Sequence, residues 1–273
     1  MKQMIGSIGR RYLTATRYAL LAQAKNGMAI LLLIAFVPIW YSIMGMFADR
    51  PIDFKFWVTG TFLHVSSHNL SLLTAGLSAI TLIVGFMLFT STRKDRQFDQ
   101  RLVLNGYPQP LLILAKLTSL MAVAAAVSLY ASGVLLVFWG PGSVPVVWLG
   151  FFCAALCYGG FGLLLGVLLR GELEGFFLII MISLIDTFTQ NPVGYPSSDQ
   201  SYVVWFPTFA PTQIAVAGGF THLVPWNYVL LSLAWFVAFA LLGLAIFWWR
   251  TRAWRVHTTA SSPPRVSQSV TGS

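Results

Sequence analysis

Long apolar stretches dominate this sequence, and Asp186 is the one acidic residue inside any of them. A carboxylate in such surroundings is costly to solvate, so by default it is expected to serve a substrate path, a gate or a proton relay. Asp186 also lies only four residues before the polar sequence Gln190-Asn191-Pro192. Two interpretations stay open: a hydrated position near the outer membrane surface, and a role in a path or gate.

The one sequence similar to a nucleophile motif in an apolar stretch is Gly76-Leu77-Ser78-Ala79. This sequence faintly resembles the Gly-x-Ser-Gly of rhomboid proteases, but the final Gly is missing. No histidine lies inside an apolar stretch to act as the base. We therefore expect a close contact between helices at this point, for which small residues are suited. The pair Gly162 and Gly166 has the G-x-x-x-G spacing and predicts the same kind of contact.

Metal and cofactor motifs are sparse. His64 and His68 are four residues apart, a spacing compatible with a metal, but no Cys or further His lies nearby to complete a site. Cys153 and Cys157 lie one helical turn apart in an apolar stretch and are interpreted as small packing or lipid-facing residues. The sequence has no Gly-Lys dipeptide and hence no Walker loop. We expect no metal or cofactor to bind directly and no ATP hydrolysis by this chain alone.

Composition places the chain in a bilayer. Of its 273 residues, 57% are hydrophobic and only 9% are charged, which is too apolar for a soluble domain of this size. The net charge of +9 does not indicate nucleic acid, because the basic residues flank apolar stretches instead of alternating with stacking aromatics. The sequence predicts one membrane domain and no nucleic-acid partner.

Six apolar stretches predict an all-α integral membrane protein with six transmembrane helices. A spanning helix needs roughly 20 residues. Five stretches reach that length, whereas 175–189 is short and contains Asp186, so it either draws on flanking residues or spans only partly. The predicted spans are about 27–47, 70–90, 111–139, 145–169, 175–189 and 228–249.

The basic residues predict the orientation. If the N-terminus is cytoplasmic, 15 of the 17 Lys and Arg residues lie on the cytoplasmic side, and only Arg50 and Lys55 lie outside. Both termini are therefore predicted to be cytoplasmic, in a multi-pass membrane protein.

The segments around the spans are also distinctive. Residues 1–26 predict an amphipathic helix in the cytoplasmic interface, unless they are an ordinary basic flank. Its predicted apolar face consists of Ile5, Ile8, Tyr12, Ala15, Ala19 and Ala22. Residues 91–110 predict a compact cytoplasmic elbow between the second and third helices. The outer segment 190–227 is proline-rich but too apolar for a free loop, so we expect short re-entrant or interfacial helices there. Residues 250–273 predict a cytoplasmic tail. Its Ser, Thr and Pro content predicts that the tail is disordered.

Residues 5–254 resemble the permease subunit of type-2 ABC exporters. The most specific match is the segment 89–108, FTSTRKDRQFDQRLVLNGYP, followed by LAKL at 114–117. The second is FPTFAPT at 206–212, which is similar to an outer proline-containing region of that family. The sequence departs from the family at Phe98-Asp99, where Gly and Glu are commoner, and at Asn105-Gly106-Tyr107, which replaces a small polar residue.

The resemblance implies partners and site residues. Two permease subunits, identical or different, would enclose a central path above two cytoplasmic ATPase subunits, which would bind the ATP and Mg. Asp95 and Asp99 would pair with basic residues of the ATPase or with Arg93, Arg96 and Arg101. The implied coupling residues are Lys94, Asp95, Arg96, Asp99, Arg101, Tyr107 and Pro108, and the implied path or gate residues are Asp186, Phe206, Pro207 and Pro211.

The substrate class and the alternatives follow from the same features. Since the spans lack the charges that ion pathways need, an amphipathic or hydrophobic cargo such as a drug, antibiotic, lipid or peptide is favoured, and a polysaccharide stays open. Two other functions stay open from the residues. One is a membrane-embedded protease or lipid-modifying enzyme, and the other is a non-transporting assembly or anchoring subunit.

Overall fold

The computed structural model describes residues 2–46, 49–104, 107–169, 171–190 and 201–260. Helices make up 82% of it, which confirms a mostly helical fold. A 3₁₀ turn, Ser201–Trp205, lies between the sixth and seventh helices. The α-helices of the described residues are α1 (Lys2–Ala24), α2 (Gly27–Gly45), α3 (Ser67–Leu104), α4 (Gln109–Phe138), α5 (Val144–Leu168), α6 (Glu172–Gln190), α7 (Phe209–Phe220) and α8 (Trp226–Ala260).

Four to five helical segments are long and apolar enough to cross a membrane. Four are single segments: Ser67–Asp95 in α3, Leu111–Phe138 in α4, Val144–Leu168 in α5 and Trp226–Ile246 in α8. A bent pair, Tyr12–Ala24 with Ala29–Gly45, makes the fifth if it is taken as one span. The predicted span 175–189 lies in α6, which is not among these segments, so the count of six stays a prediction.

The central helix is α3, whose spanning segment is 89% buried, whereas that of α8 is only 11% buried. It packs against α5 through backbone contact. A Cβ on Gly162 would lie 2.3 Å from the carbonyl oxygen of Gly85, and one on Gly166 would lie 2.7 Å from the Cβ of Thr92. The predicted close packing of this glycine pair is therefore confirmed, and its partner is α3.

The small residues at 76–79 also have the predicted packing role. A Cβ on Gly76 would lie 2.2 Å from the Tyr41 hydroxyl and 2.5 Å from the Phe151 ring. The Ser78 hydroxyl accepts a hydrogen bond of 2.9 Å from the Trp40 indole. Because Gly76 has no side chain, α2 and α5 can both approach α3 at this level.

Helix α2 contains Pro38, which cannot donate to the carbonyl of Ile34 one turn earlier. The Tyr130 hydroxyl of α4 donates to that carbonyl at 3.2 Å. A side chain of a neighbouring helix thus satisfies the backbone group that the proline frees, as the membrane interior requires.

A β-hairpin between α2 and α3 was not predicted. Its strands β1 (Pro51–Phe56) and β2 (Thr61–Ser66) are antiparallel, and Gly60 in the turn has φ of 69°, which favours glycine. The buried rings of Phe54 and Phe56 attach the hairpin to the helices. The sequence signal was present, since apolar Ile52, Phe54 and Phe56 alternate with Asp53 and Lys55.

The hairpin also separates the two histidines considered as a metal pair. His64 lies on β2, and its ring contacts the Asp53 carboxylate of β1. His68 lies in the first turn of α3. The two histidines therefore belong to different elements.

Short helical elements precede the last span, and the last helix runs past its predicted end. Helix α7 is almost wholly buried in the protein and packs on α5 and α8. Helix α8 continues to Ala260, past the end predicted at 249, because no helix breaker occurs before Pro263. The rest of the tail, 261–273, lies outside the described residues.

Candidate functional site

The elbow predicted at 91–110 joins two helices that meet at a tight turn. Helix α3 runs on to Leu104, and α4 begins at Gln109. The Tyr107 amide donates to the Leu102 carbonyl at 3.0 Å, and Pro108 caps α4 in an extended conformation. Pro110 follows in the first turn of α4, where a missing amide hydrogen costs no hydrogen bond.

An ion pair crosses the elbow. The Asp95 carboxylate of α3 lies 3.8 Å from the Lys116 ammonium of α4, and both side chains are less than a third exposed. The Ser91 hydroxyl donates to the same carboxylate at 3.3 Å. The guanidinium of Arg93, an expected partner of Asp95, instead lies over the Phe89 ring, 5.6 Å from its centroid. Asp95 is therefore directed at α4, and Lys116 is a site residue that was not predicted.

The other coupling candidates are distributed along the same end of α3. Lys94 and Arg101 are exposed, and Tyr107 and Pro108 are partly buried at the turn. The side chains of Arg96 and Asp99, and all of Asn105 and Gly106, lie outside the described residues. The described part of the elbow thus presents cationic side chains at the end of the most buried helix, which suits contact with an acidic surface.

A buried polar cluster surrounds Asp186 of α6. One carboxylate oxygen accepts from the Tyr158 hydroxyl at 2.7 Å and from the Thr208 amide at 3.2 Å. The other accepts from the Thr208 hydroxyl at 2.6 Å and from the Gln190 side-chain amide at 2.5 Å. Gln190 also donates to the Thr208 hydroxyl. Four donors therefore satisfy a single carboxylate that is 0% exposed.

This geometry shows where Asp186 lies, whereas its role in a path or gate stays a prediction. Zero exposure excludes a hydrated surface position in the described chain. Thr208 immediately precedes α7, so the carboxylate lies at the positive end of the α7 dipole. Tyr158 lies past the middle of α5, about 21 Å along that helix from Val144. Asp186 therefore ties α5, α6 and α7 together inside the protein.

Helix α6 has a second polar contact one turn away. The Ser183 and Thr81 hydroxyls are hydrogen-bonded at 2.7 Å, and both residues are buried. In apolar surroundings such pairs hold two helices in register. Helix α6 is thus tied to the central helix α3 at Ser183 and to α7 at Asp186.

The remaining gate candidates lie around the start of α7. Phe206 and Pro207 form the turn that leads into the helix, and buried Pro211 is its third residue. Beside them is a cavity with about 250 Å³ of empty volume, including its open mouth. It is lined by residues of the hairpin, the 3₁₀ turn, the end of α6 and the first turns of α7, among them Lys55, Trp57, Gln190, Phe209 and Gln213.

The hairpin is fixed to α7 at this cavity. The Trp57 amide donates to the Gln213 side-chain oxygen at 3.2 Å, and the Trp57 ring meets the Phe209 ring edge-on at 5.9 Å. The Lys55 ammonium lies 4.3 Å from the Trp57 ring centroid, a cation–π contact. The hairpin and the Asp186 cluster therefore hold the same end of α7.

Comparison with known proteins adds no assignment: no family model matches the chain, and no curated protein matches it. What the chain itself shows is a mostly helical protein with several helices able to cross a membrane.

Proposed function

We propose that this chain is the permease subunit of an ATP-driven exporter similar to the type-2 ABC class. The observation that carries the proposal is the length of α3. Its 38 residues extend about 57 Å, whereas the hydrocarbon core of a bilayer is only about 30 Å thick. One unbroken helix thus connects the outer side of the membrane with the cytoplasmic elbow.

Coupling would act through this helix. An ATPase subunit docked on the elbow pushes α3 and α4 together, because the pair of Asp95 and Lys116 joins them. Backbone contact between Gly85 and Gly162 leaves no compressible side chain between α3 and α5. A displacement at the elbow is therefore passed to α5 instead of being absorbed locally.

The Asp186 cluster would be the gate element. Motion of α3 reaches α6 through Thr81 and Ser183, and α6 holds the start of α7 through Asp186. Because the same carboxylate also binds Tyr158 of α5, a shift of α5 relative to α6 changes how α7 is held. Helix α7 is the short element between α5 and α8 that this shift releases or fixes.

The partners complete the proposal. Two ATPase subunits supply ATP and Mg, and a second permease, identical or different, completes the path. The cavity beside α7 is far too small to hold a drug-sized molecule, which favours a path formed between subunits. The cargo is amphipathic or hydrophobic. The protein resides in the bacterial inner membrane with both termini in the cytoplasm.

Co-expression with an ATPase encoded beside this gene tests the proposal. The expected result is a stable complex whose ATP hydrolysis rises when the permease is present. Reversing both acidic residues of the elbow, D95K with D99K, is expected to lower that stimulation while membrane insertion is kept. A chain that binds no ATPase, or whose complex keeps full stimulation after the double reversal, contradicts the proposal.

A further inference from the structure

We propose that the outward face of α1 binds the headgroups of anionic phospholipids. This headgroup face consists of Arg10, Leu13, Arg17, Tyr18 and Leu21, all of them exposed. Arg10, Leu13, Arg17 and Leu21 recur at three- and four-residue steps, and Tyr18 flanks them on the same side of the helix. Helix α1 contains no acidic residue, so nothing within the helix neutralises the two arginines.

The opposite side of α1 is already occupied by protein. The Tyr12 hydroxyl is hydrogen-bonded to the Thr118 hydroxyl of α4 at 2.6 Å. Ala15 and Ala19 are partly buried on the same side, and Gln23 is only 5% exposed. Three residues of the face that the sequence predicted to enter the membrane, Tyr12, Ala15 and Ala19, therefore lie on the side of α4, while Leu13 and Tyr18 remain 71% and 67% exposed.

The bend between α1 and α2 sets where the headgroup face lies. The two helices meet at 57°, so α1 turns away from the axis of the span. If α1 continued that span, Arg10 and Arg17 would enter the hydrocarbon, where a charged side chain is expensive. An interfacial position avoids this cost, because the apolar side chains enter the acyl region and the guanidinium groups reach the phosphates.

The positive charge of this face determines which lipid headgroup it prefers. A guanidinium binds a phosphate through paired hydrogen bonds, and Arg10 and Arg17 are two helical turns, about 10.5 Å, apart. Exposed Lys25 adds a third cation just beyond the helix. Zwitterionic lipids also carry a phosphate, but their headgroups have no net charge. Each cation near an anionic surface strengthens binding about fivefold, so anionic lipids are preferred.

The test uses the full-length chain purified in detergent and native mass spectrometry of bound lipid. Phosphatidylglycerol is titrated against phosphatidylcholine with the same acyl chains. The wild type is expected to retain phosphatidylglycerol preferentially, and R10Q/R17Q to lose about 25-fold in its affinity, fivefold for each cation. R10K/R17K keeps most of the binding. Inorganic phosphate added in excess does not displace the lipid, because it cannot make the contacts with Leu13, Tyr18 and Leu21.

The matched control is R50Q/K55Q, which removes the same charge from the outer hairpin side. It is expected to bind phosphatidylglycerol as the wild type does. Equal losses in the two double variants, or no loss in R10Q/R17Q, overturn the proposal. If R10Q/R17Q does not yield folded protein, R17Q alone tests the same site through a fivefold loss. Because the measurement needs no ATPase, its outcome is independent of the proposed transport function.

Discussion

Asp95 and Lys116, 21 positions apart in the sequence, face each other across the elbow at 3.8 Å. The pair joins the last part of the most buried helix to the first turns of the next. Partly exposed ion pairs add only about 0.2–1 kcal/mol to stability, so this one is too weak to be needed for folding. Its consequence lies in the relative position of α3 and α4, where the proposed ATPase docks.

Charge reversal at this pair is the first prediction. D95K places two ammonium groups together, and K116D places two carboxylates together, so each single change pushes the helices apart. We expect each to lower permease-stimulated ATP hydrolysis by about two- to fivefold, in line with the energy of a partly exposed pair. The swapped variant D95K/K116D restores the attraction and is expected to recover most of the stimulation.

The swapped variant D95K/K116D distinguishes an effect of the ion pair from an effect of either residue alone. If Asp95 acted by contacting the ATPase directly, D95K/K116D would be as defective as D95K. Thermal unfolding in detergent should be nearly the same for all three variants. Failure of the swapped variant to recover would therefore assign Asp95 to the ATPase contact and remove the elbow pair from the coupling mechanism.

The second prediction concerns the buried carboxylate. D186A removes the shared acceptor of the donors of Tyr158, Thr208 and Gln190, and we expect it to cost about 3 kcal/mol or more of stability. Y158F removes one donor from a carboxylate that keeps three, and should cost about 1 kcal/mol. The stability loss of D186N is expected to lie between those of D186A and Y158F, because the amide keeps one acceptor oxygen. Unfolding temperatures in detergent give the order.

A surface aspartate supplies the control. Asp53 pairs with His64 on the exposed side of the hairpin, so D53A should change stability by less than about 0.5 kcal/mol. Equal stability of D186A and D53A would refute the buried cluster. If D186A folds but the complex hydrolyses ATP without moving cargo, the gate role is supported separately from the structural one.

Sequence patterns predicted the structural features that depend on residues close together in the chain. The elbow followed from a polar stretch ending in prolines, and the close contact of Gly162 followed from its spacing to Gly166. The partners of Asp186 could not be predicted, because Tyr158 and Thr208 lie 28 and 22 positions away. Only the fold brings such residues together.

The hairpin was missed although its first strand has a visible period-two pattern. Half of the predicted apolar face of α1 is alanine, and a weakly apolar face can pack on a neighbouring helix as well as in lipid. Tyr12 of that face contacts α4, whereas the larger side chains of Leu13 and Tyr18 are exposed.

The third prediction tests the contact between α3 and α5. A Cβ at Gly162 would overlap the Gly85 carbonyl, and backbone cannot rotate away as a side chain can. We expect G162A to cost about 1–3 kcal/mol by overpacking, measured as a lower unfolding temperature. G133A in α4 is the matched control, because nothing lies within 4 Å of a Cβ there. Similar unfolding temperatures for the two variants would contradict backbone contact at Gly162.

The fourth prediction concerns how the hairpin is attached. Phe56 at the end of β1 is 0% exposed, whereas Phe62 on β2 is 57% exposed. Truncating a buried Phe costs about 3–5 kcal/mol, so F56A should lower the unfolding temperature markedly and make the hairpin sensitive to protease added from outside. F62A removes the same atoms from an exposed position and should leave both properties unchanged. If the two variants behave alike, Phe56 does not anchor the hairpin, and the hold on α7 must come from Trp57 and the Asp186 cluster instead.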